Sequence, residues 1–221
     1  MKTTALLFAT FAFALSAHAG PGEKSRTIES QSCWIASTPQ VELSLTHLGG
    51  HMAPVTFYRD TAQPVRPYYI SPWQGEKLDY PAPVLVPLRG DFFCVPFGGN
   101  GEVVNGEKHP PHGETAGSLW KHVATKKAGD VTTLTVTLQT KARPGKVTKE
   151  LSLVDGQNVV YSRDVIEGFA GKGWSYRFTV VGTFDGGIPR AEATATGLVT
   201  KTIVHLPEGL ALAALCAAKG V

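Results

Sequence analysis

Glycine and proline divide this chain into short segments, and that division constrains the fold more than any other feature. The sequence has 24 glycines and 15 prolines spread along 221 residues, and helical periodicity is hard to find before residue 205. Between these breaks lie short runs in which apolar and polar residues alternate, which is the pattern of a strand with one buried face. No repeat of 20–50 residues is visible, which argues against a propeller. The sequence therefore predicts an all-β fold, either a sandwich or a barrel.

Four runs carry the strand pattern most clearly, and they lie in residues 41–45, 131–138, 146–153 and 159–166. The second run is especially rich in β-branched residues, which favour strands. The turn signal Asp155-Gly156-Gln157 separates the last two runs. Residues 130–167 are therefore predicted to be consecutive antiparallel strands joined by tight turns.

Residues 61–96 have a different texture, because prolines and aromatic residues are concentrated there. Proline removes a backbone donor from a sheet, so the segment is predicted to be an ordered excursion over the surface and not a central strand. Aromatic-rich loops of this kind often line a binding site.

Residues 1–19 have the order of a cleavable export signal. A charged start at Lys2 is followed by an apolar stretch and then by the small-x-small sequence Ala17-His18-Ala19. The apolar stretch is shorter than the roughly 20 residues that a membrane-crossing helix needs. We therefore expect a secreted or periplasmic protein whose mature part, residues 20–221, is a single β-sandwich domain with no membrane span after signal cleavage.

The charge and the cysteine pattern argue against several kinds of partner and site. The formal net charge is only +3, and lysine and arginine are scattered along the chain, so we expect no nucleic-acid partner. None of Cys33, Cys94 and Cys216 lies in a Cys-x-x-Cys pair. This spacing argues against a zinc ribbon and against a thioredoxin-type site. Which of them pair, if any, stays open on the sequence.

The densest group of chemically active side chains lies in residues 88–100 and 109–115. Glycine-rich backbone lets a ligand approach closely, arginine and asparagine donate to hydroxyl oxygens, and histidine moves protons near neutral pH. That inventory suits a polyol, although a surface loop without a ligand can have the same composition. We expect a sugar or polysaccharide ligand and no cofactor. The candidates are His112 as the catalytic residue, and Arg89, Asn100, His109 and Glu114 as substrate-binding residues.

Two other chemistries draw on the same residues. His109, His112 and Glu114 are residue types that bind zinc, but two prolines lie between the histidines, so neither a helix nor a regular strand presents all three together. We therefore expect no metal. Asp91 and Glu114 are also candidates for the carboxylate pair of a glycoside hydrolase, and the sequence gives no distance between them.

Three segments, in order, resemble the aldose 1-epimerase (galactose mutarotase-like) superfamily. Residues 48–55 (LGGHMAPV) are similar to its early strand and turn, residues 88–100 (LRGDFFCVPFGGN) to its site loop with an arginine and Pro-Phe-Gly, and residues 112–114 (HGE) to its His-Gly motif. The matched part covers about residues 40–167. The resemblance implies a large antiparallel β-sandwich, the galactose mutarotase-like supersandwich, with a sugar site on a concave face.

The resemblance also implies a mechanism. In active mutarotases a carboxylate near the C-terminus removes the proton of the anomeric hydroxyl, while a histidine protonates the ring oxygen and the ring opens. By motif match, His112 would contact the sugar near the ring oxygen. Arg89 would bind sugar hydroxyls, as would Asn100.

The chain departs from the superfamily pattern after residue 167. No histidine stands in residues 167–176, where the superfamily places its second one, and its late catalytic glutamate has no counterpart here. From about residue 171 the composition drifts to Gly, Ala and Thr, and residues 209–219 are rich in helix formers. We therefore expect a sandwich that is incomplete at its C-terminal end, with residues 171–221 divergent or truncated.

Three functions are compatible with these features. The first is an extracytoplasmic carbohydrate-binding protein that resembles aldose 1-epimerases, a mutarotase with an incomplete catalytic set. The second is a non-catalytic β-sandwich interaction module, and the third is a polysaccharide-active hydrolase or lyase. Fold alone does not separate them.

Overall fold

Two antiparallel sheets build the structure, a computed structural model. It describes residues 23–76, 79, 82–96, 102–103 and 106–168, together with strands in residues 172–180, 190–195, 198–206, 209–211 and 217–219. The predicted export signal in residues 1–19, Asn100 and Cys216 lie outside the described residues. None of the described segments is a helix with the length and hydropathy needed to cross a bilayer.

The first sheet has seven strands, numbered here in chain order. They are β1 (Ser25–Ile28), β2 (Gln31–Ser37), β3 (Glu42–Thr46), β4 (Met52–Thr56), β5 (Asp91–Cys94), β10 (Lys172–Val180) and β11 (Arg190–Ala195), hydrogen-bonded to one another in that order. The predicted strand at residues 41–45 is confirmed as β3. The short strand β5 lies between β4 and β10, with Phe93 opposite Phe178 in the register.

The second sheet contains the long central strands. Its strands are β6 (Lys121–Ala128), β7 (Val131–Thr140), β8 (Gly145–Val154), β9 (Val160–Gly168), β12 (Leu198–Leu206) and β13 (Gly209–Ala211), and β14 (Ala217–Lys219) pairs with β12. From β6 to β9 each strand pairs with the next one along the chain, and β12 follows on the far side of β9. The antiparallel strands predicted for residues 130–167 are therefore confirmed.

Apolar side chains from both sheets form one buried core. Along β7 every second residue from Thr132 to Thr140 is buried, which matches the two-residue period of the sequence. Members of this core include Trp34, Leu43, Leu45, Phe57, Phe93, Leu134, Leu151 and Leu153. Burying a leucine or phenylalanine side chain contributes about 1.5–3 kcal/mol. The all-β sandwich expected from the sequence is confirmed.

One ion pair interrupts this apolar interior. Lys149 on β8 lies opposite Asp164 on β9, and its Nζ is 3.0 Å from Asp164 Oδ1. Both side chains are buried, and the Lys149 Nζ also lies 5.6 Å from the centre of the Phe93 ring. The pair is placed on the core-facing side of its strands, where burying a charge requires a partner.

The described part of the proline-rich segment before β5 runs over the surface, as predicted. The prediction for residues 61–96 is wrong at residues 91–94, because Asp91–Cys94 form the buried strand β5 between β4 and β10. The segment before β5 contains two 3-10 turns, Pro72–Gly75 and Pro83–Leu85. Trp73 Nε1 donates to the Leu85 carbonyl at 2.8 Å and ties the two turns together. The segment ends at β5 and so brings its last residues beside the predicted site.

The helical interpretation of residues 209–219 is wrong for the part that the structure describes. Gly209–Ala211 and Ala217–Lys219 are short strands, and both pair with β12. Alanine and leucine are strong helix formers, but intrinsic propensity amounts to less than about 1 kcal/mol per residue, and pairing with a sheet edge overrides it.

Candidate functional site

The predicted site segments meet on the outer face of β5, meaning the face that carries Phe92 and Cys94. Because side chains alternate along a strand, Phe93 enters the core between the sheets while Phe92 and Cys94 belong to a second buried cluster with Val84 and Ala116. Loop residues cover this outer face. The chemistry of the site therefore depends on how residues 106–117 are held over β5.

Hydrogen bonds fix this loop to the end of β5. The backbone N–H of Glu114 donates to the Val95 carbonyl at 3.0 Å, and the Val95 N–H donates to Thr115 Oγ1 at 2.9 Å. Gly113 has φ +71°, and a Cβ atom there would lie 2.3 Å from the Val95 carbonyl oxygen. Only glycine fits at this position without moving the loop. The His-Gly sequence is thus explained by close backbone packing.

His112 lies over the outer face of β5. Its Nδ1 is 3.8 Å from Cys94 Sγ, and its ring meets the Phe92 ring edge-on with centroids 5.7 Å apart. The residue has φ +65°, a left-handed conformation that is uncommon outside glycine. Of the four predicted site residues that the structure describes, His112 is the one that keeps partial exposure. It is therefore the predicted site residue best placed to touch a ligand.

The guanidinium of Arg89 is buried and turned towards backbone. Nη1 donates to the Ile28 carbonyl at 2.9 Å, and Nη2 donates to the Glu29 carbonyl and to Gln74 Oε1, both at 2.7 Å. Burial lowers the pKa of Arg89. These bonds tie the segment that precedes β5 to the end of β1 and to the turn that follows it. The role of Arg89 in binding sugar hydroxyls stays a prediction.

Glu114 holds the turn between β7 and β8. Its carboxylate accepts the backbone N–H of Lys141 at 2.8 and 3.0 Å and the N–H of Ala142 at 3.0 Å. Charge-assisted bonds of this kind are stronger than those between neutral groups. Asp91, its predicted partner in a carboxylate pair, instead accepts the Met52 N–H at 3.2 Å beside the adjacent strand.

His109 is buried beside another acidic side chain. Its Nε2 lies 3.3 Å from Glu107 Oε2, and the same oxygen accepts from Arg143 Nε at 3.0 Å and Nη2 at 2.7 Å. His109, Glu107 and Arg143 together link the loop to the β7–β8 turn. In the described part of the chain, no three His, Cys, Asp or Glu side chains are grouped to hold a metal ion.

His51 is a buried histidine that the sequence indicates only as part of the segment 48–55 (LGGHMAPV), with no role of its own. Its Nδ1 accepts the Arg89 N–H at 3.3 Å, so the ring proton lies on Nε2, which faces the Ala116 carbonyl at 3.0 Å. The ring also stacks on Phe92 at 4.8 Å. Burial lowers the pKa of His51 to about 4. The residue is therefore neutral at pH 7 and helps to fix both Phe92 and the Arg89 backbone.

Comparisons with known proteins bear on the fold. No family model matches the sequence, and no curated protein matches it. Among solved structures, the chain is similar to the Slr1438 protein from Synechocystis sp. PCC 6803, with a TM-score of 0.50 and 14% identity over 77% of this chain. The alignment spans 56% of the length of the Slr1438 protein. That similarity shows a shared fold.

Two further structures are similar to a lesser degree. A candidate mutarotase, YeaD, from Salmonella typhimurium has a TM-score of 0.48 and 14% identity, with 86% of this chain and 76% of that chain covered. A candidate aldose 1-epimerase from Escherichia coli K12 has a TM-score of 0.43 and 13% identity, with 66% and 50% covered. The comparison with solved structures thus shows a shared fold, and membership of the mutarotase-like superfamily stays a prediction.

Proposed function

We propose that this chain is an extracytoplasmic carbohydrate-binding protein of mutarotase-like fold, with the sugar held against His112 on the outer face of β5. One observation carries the proposal. His112 is partly exposed, and its ring is held in place by the adjacent Phe92 and Cys94 side chains. A fixed imidazole at a partly exposed position can donate to or accept from a sugar oxygen.

The function that we propose is the binding of a sugar, without rapid interconversion of its anomers. Mutarotation needs an acid and a base that both reach the sugar. The Glu114 carboxylate is engaged with the β7–β8 turn, and His109 is buried beside Glu107. Of the predicted acid–base groups that the structure describes, His112 is thus the one that is partly exposed.

The direct test is calorimetric titration of the mature chain with aldohexoses and with oligosaccharides. We expect saturable binding of at least one sugar, and we expect His112→Ala to abolish it. The control is His122→Ala, because His122 is a histidine on β6 in the other sheet. Equal binding by wild type and His112→Ala would refute the proposal.

Polarimetry of freshly dissolved α-glucose and α-galactose separates binding from catalysis. We expect optical rotation to relax at the rate seen in buffer. A rate that rises in proportion to protein concentration would show that the chain is a competent mutarotase. Sugar release from a polysaccharide would favour the hydrolase or lyase.

Export is part of the same proposal. The charged start, apolar stretch and Ala17-His18-Ala19 sequence support cleavage after residue 19. N-terminal sequencing of the protein recovered from an extracytoplasmic fraction is expected to begin at Gly20. Recovery of an intact Met1 from the cytosol alone would contradict export.

A further inference from the structure

The function proposed above uses Cys94 only as a side chain adjacent to the His112 ring and gives its S–H no role. Cys94 is fully buried, and its neighbours on the outer face of β5 are the apolar side chains of Phe92, Val84 and Ala116. Its Sγ nevertheless lies 3.8 Å from His112 Nδ1, within reach of a hydrogen bond to sulfur. A buried cysteine is thus directed at one particular nitrogen of the ring that faces the ligand.

We propose that Cys94 is a positioning residue for His112: its S–H donates to Nδ1 and keeps the ring proton on Nε2. The consequence for sugar binding rests on the proposed function, since it makes Nε2–H the donor that meets a sugar oxygen. Ligand and thiol would then lie at different nitrogens of one ring, and Cys94 itself would not touch the sugar.

The donor and acceptor roles follow from the chemistry of the two side chains. A neutral thiol is a weak donor, and a neutral imidazole has one donor and one acceptor nitrogen. With Nδ1 facing Sγ, the arrangement that satisfies both groups places the acceptor at Nδ1 and the proton at Nε2.

The ring has little freedom to reverse this arrangement. The edge-on contact with Phe92 holds one side of the ring. The backbone on its C-terminal side is held because the N–H groups of Gly113 and Glu114 donate to the carbonyls of Pro110 and Val95. Phe92 is itself stacked on His51, which is tied to the backbone at both nitrogens. His51 and Phe92 therefore form a rigid support on which the Cys94 thiol selects the tautomer of His112.

Long-range 1H–15N correlation spectra of histidine-labelled protein test this inference in the absence of sugar. At a pH where the ring is neutral, we expect the His112 signal, assigned with His112→Gln, to show a proton on Nε2. Cys94→Ser keeps a donor and is expected to keep that tautomer. Cys94→Ala removes the donor, and we expect the preference for the Nε2–H form to fall by about two- to tenfold.

Cys33→Ala is the matched control, because Cys33 is also buried but directs its thiol to the Gln31 carbonyl. We expect it to leave the His112 tautomer unchanged. If Cys94→Ala does not fold, Cys94→Val keeps the volume without the donor and takes its place. A proton on Nδ1 in the wild type, or the same tautomer ratio in the donor-free variant, would overturn the inference.

The sugar titration then separates this inference from the proposed function. We expect sugar affinity to fall by about two- to tenfold in Cys94→Ala and to be restored in Cys94→Ser. If the tautomer responds as expected but no sugar binds to the wild type, the proposed function fails and the positioning role stands. If sugar binds at His112 but the His112 tautomer ratio is the same in Cys94→Ala as in the wild type, the positioning role is wrong and the proposed function stands.

Discussion

Mild acid is expected to destabilise this fold through His51. The unfolded chain takes up a proton at this residue near pH 6.5, whereas the folded chain takes it up only near pH 4, because burial opposes the charge. Between these two values the unfolded state binds more protons, so the free energy of unfolding falls as the pH falls. The contribution is fully present above pH 6.5 and is lost on approaching pH 4.

The size of the effect follows from the difference between the two pKa values. From pH 7 to pH 5 this one group lowers the free energy of unfolding by about 2 kcal/mol, and the full loss below pH 4 is about 3 kcal/mol. A small domain has a total stability of about 5–15 kcal/mol. One histidine thus accounts for a sizeable part of the acid sensitivity.

Urea unfolding at pH 7, 6 and 5 measures the effect in three proteins: wild type, His51→Gln and His122→Gln. His51→Gln is expected to be less stable at pH 7, because it loses the stack on Phe92, but to lose about 2 kcal/mol less between pH 7 and pH 5. Burial also lowers the pKa of His47, but His47 is present in both the wild type and His51→Gln and cancels between these two proteins. His122→Gln should follow the wild type. The reasoning is refuted if wild type and His51→Gln lose the same stability over this range.

Substitutions at three further positions test the contacts that stabilise the site and the core beneath it. Gly113→Ala should cost roughly 2–4 kcal/mol by urea unfolding, because it adds a clash to a left-handed conformation. Its control Gly156→Ala, at φ +80° with open space around it, should cost about 1 kcal/mol, and equal losses would contradict the packing argument. Lys149→Met should cost about 3–5 kcal/mol by leaving Asp164 buried without its partner, and adding Asp164→Leu should recover most of it; a double variant no more stable than the single one would contradict this. Glu114→Gln should cost about 1–2 kcal/mol by weakening the amide bonds of the β7–β8 turn, and an unchanged melting temperature would argue against that role.

The parts of the fold that the sequence predicts are those with a local signal. Residues 131–138 show a strand directly, because alternation with a two-residue period records which face is buried. The sequence predicts the proline-rich excursion between β4 and β5 equally well, because proline lacks the backbone donor that a central strand needs. Residues 209–219 mislead, because they are rich in helix formers but pairing of their described parts with β12 overrides that propensity.

The site can be predicted from the sequence only in part, for a related reason. The sequence marks Arg89 and Glu114 as polar residues in suggestive motifs, but their partners are backbone groups far away in the chain, at Ile28 and Lys141. No local pattern encodes such a contact. The importance of Cys94 also depends on the loop that brings His112 over β5, and the alternation in Asp91–Cys94 is the one local sign that Cys94 and Phe92 share a face.

The central claim is that a sugar lies against His112, and chemical-shift titration of the histidine rings tests it most directly. We expect the His112 ring signals to move saturably as a bound aldohexose or oligosaccharide is added, with the same affinity that calorimetry gives. The signals of His47 and His122, which lie near Trp34 and away from β5, should stay in place. Saturable sugar binding that leaves the His112 ring unmoved would contradict the account.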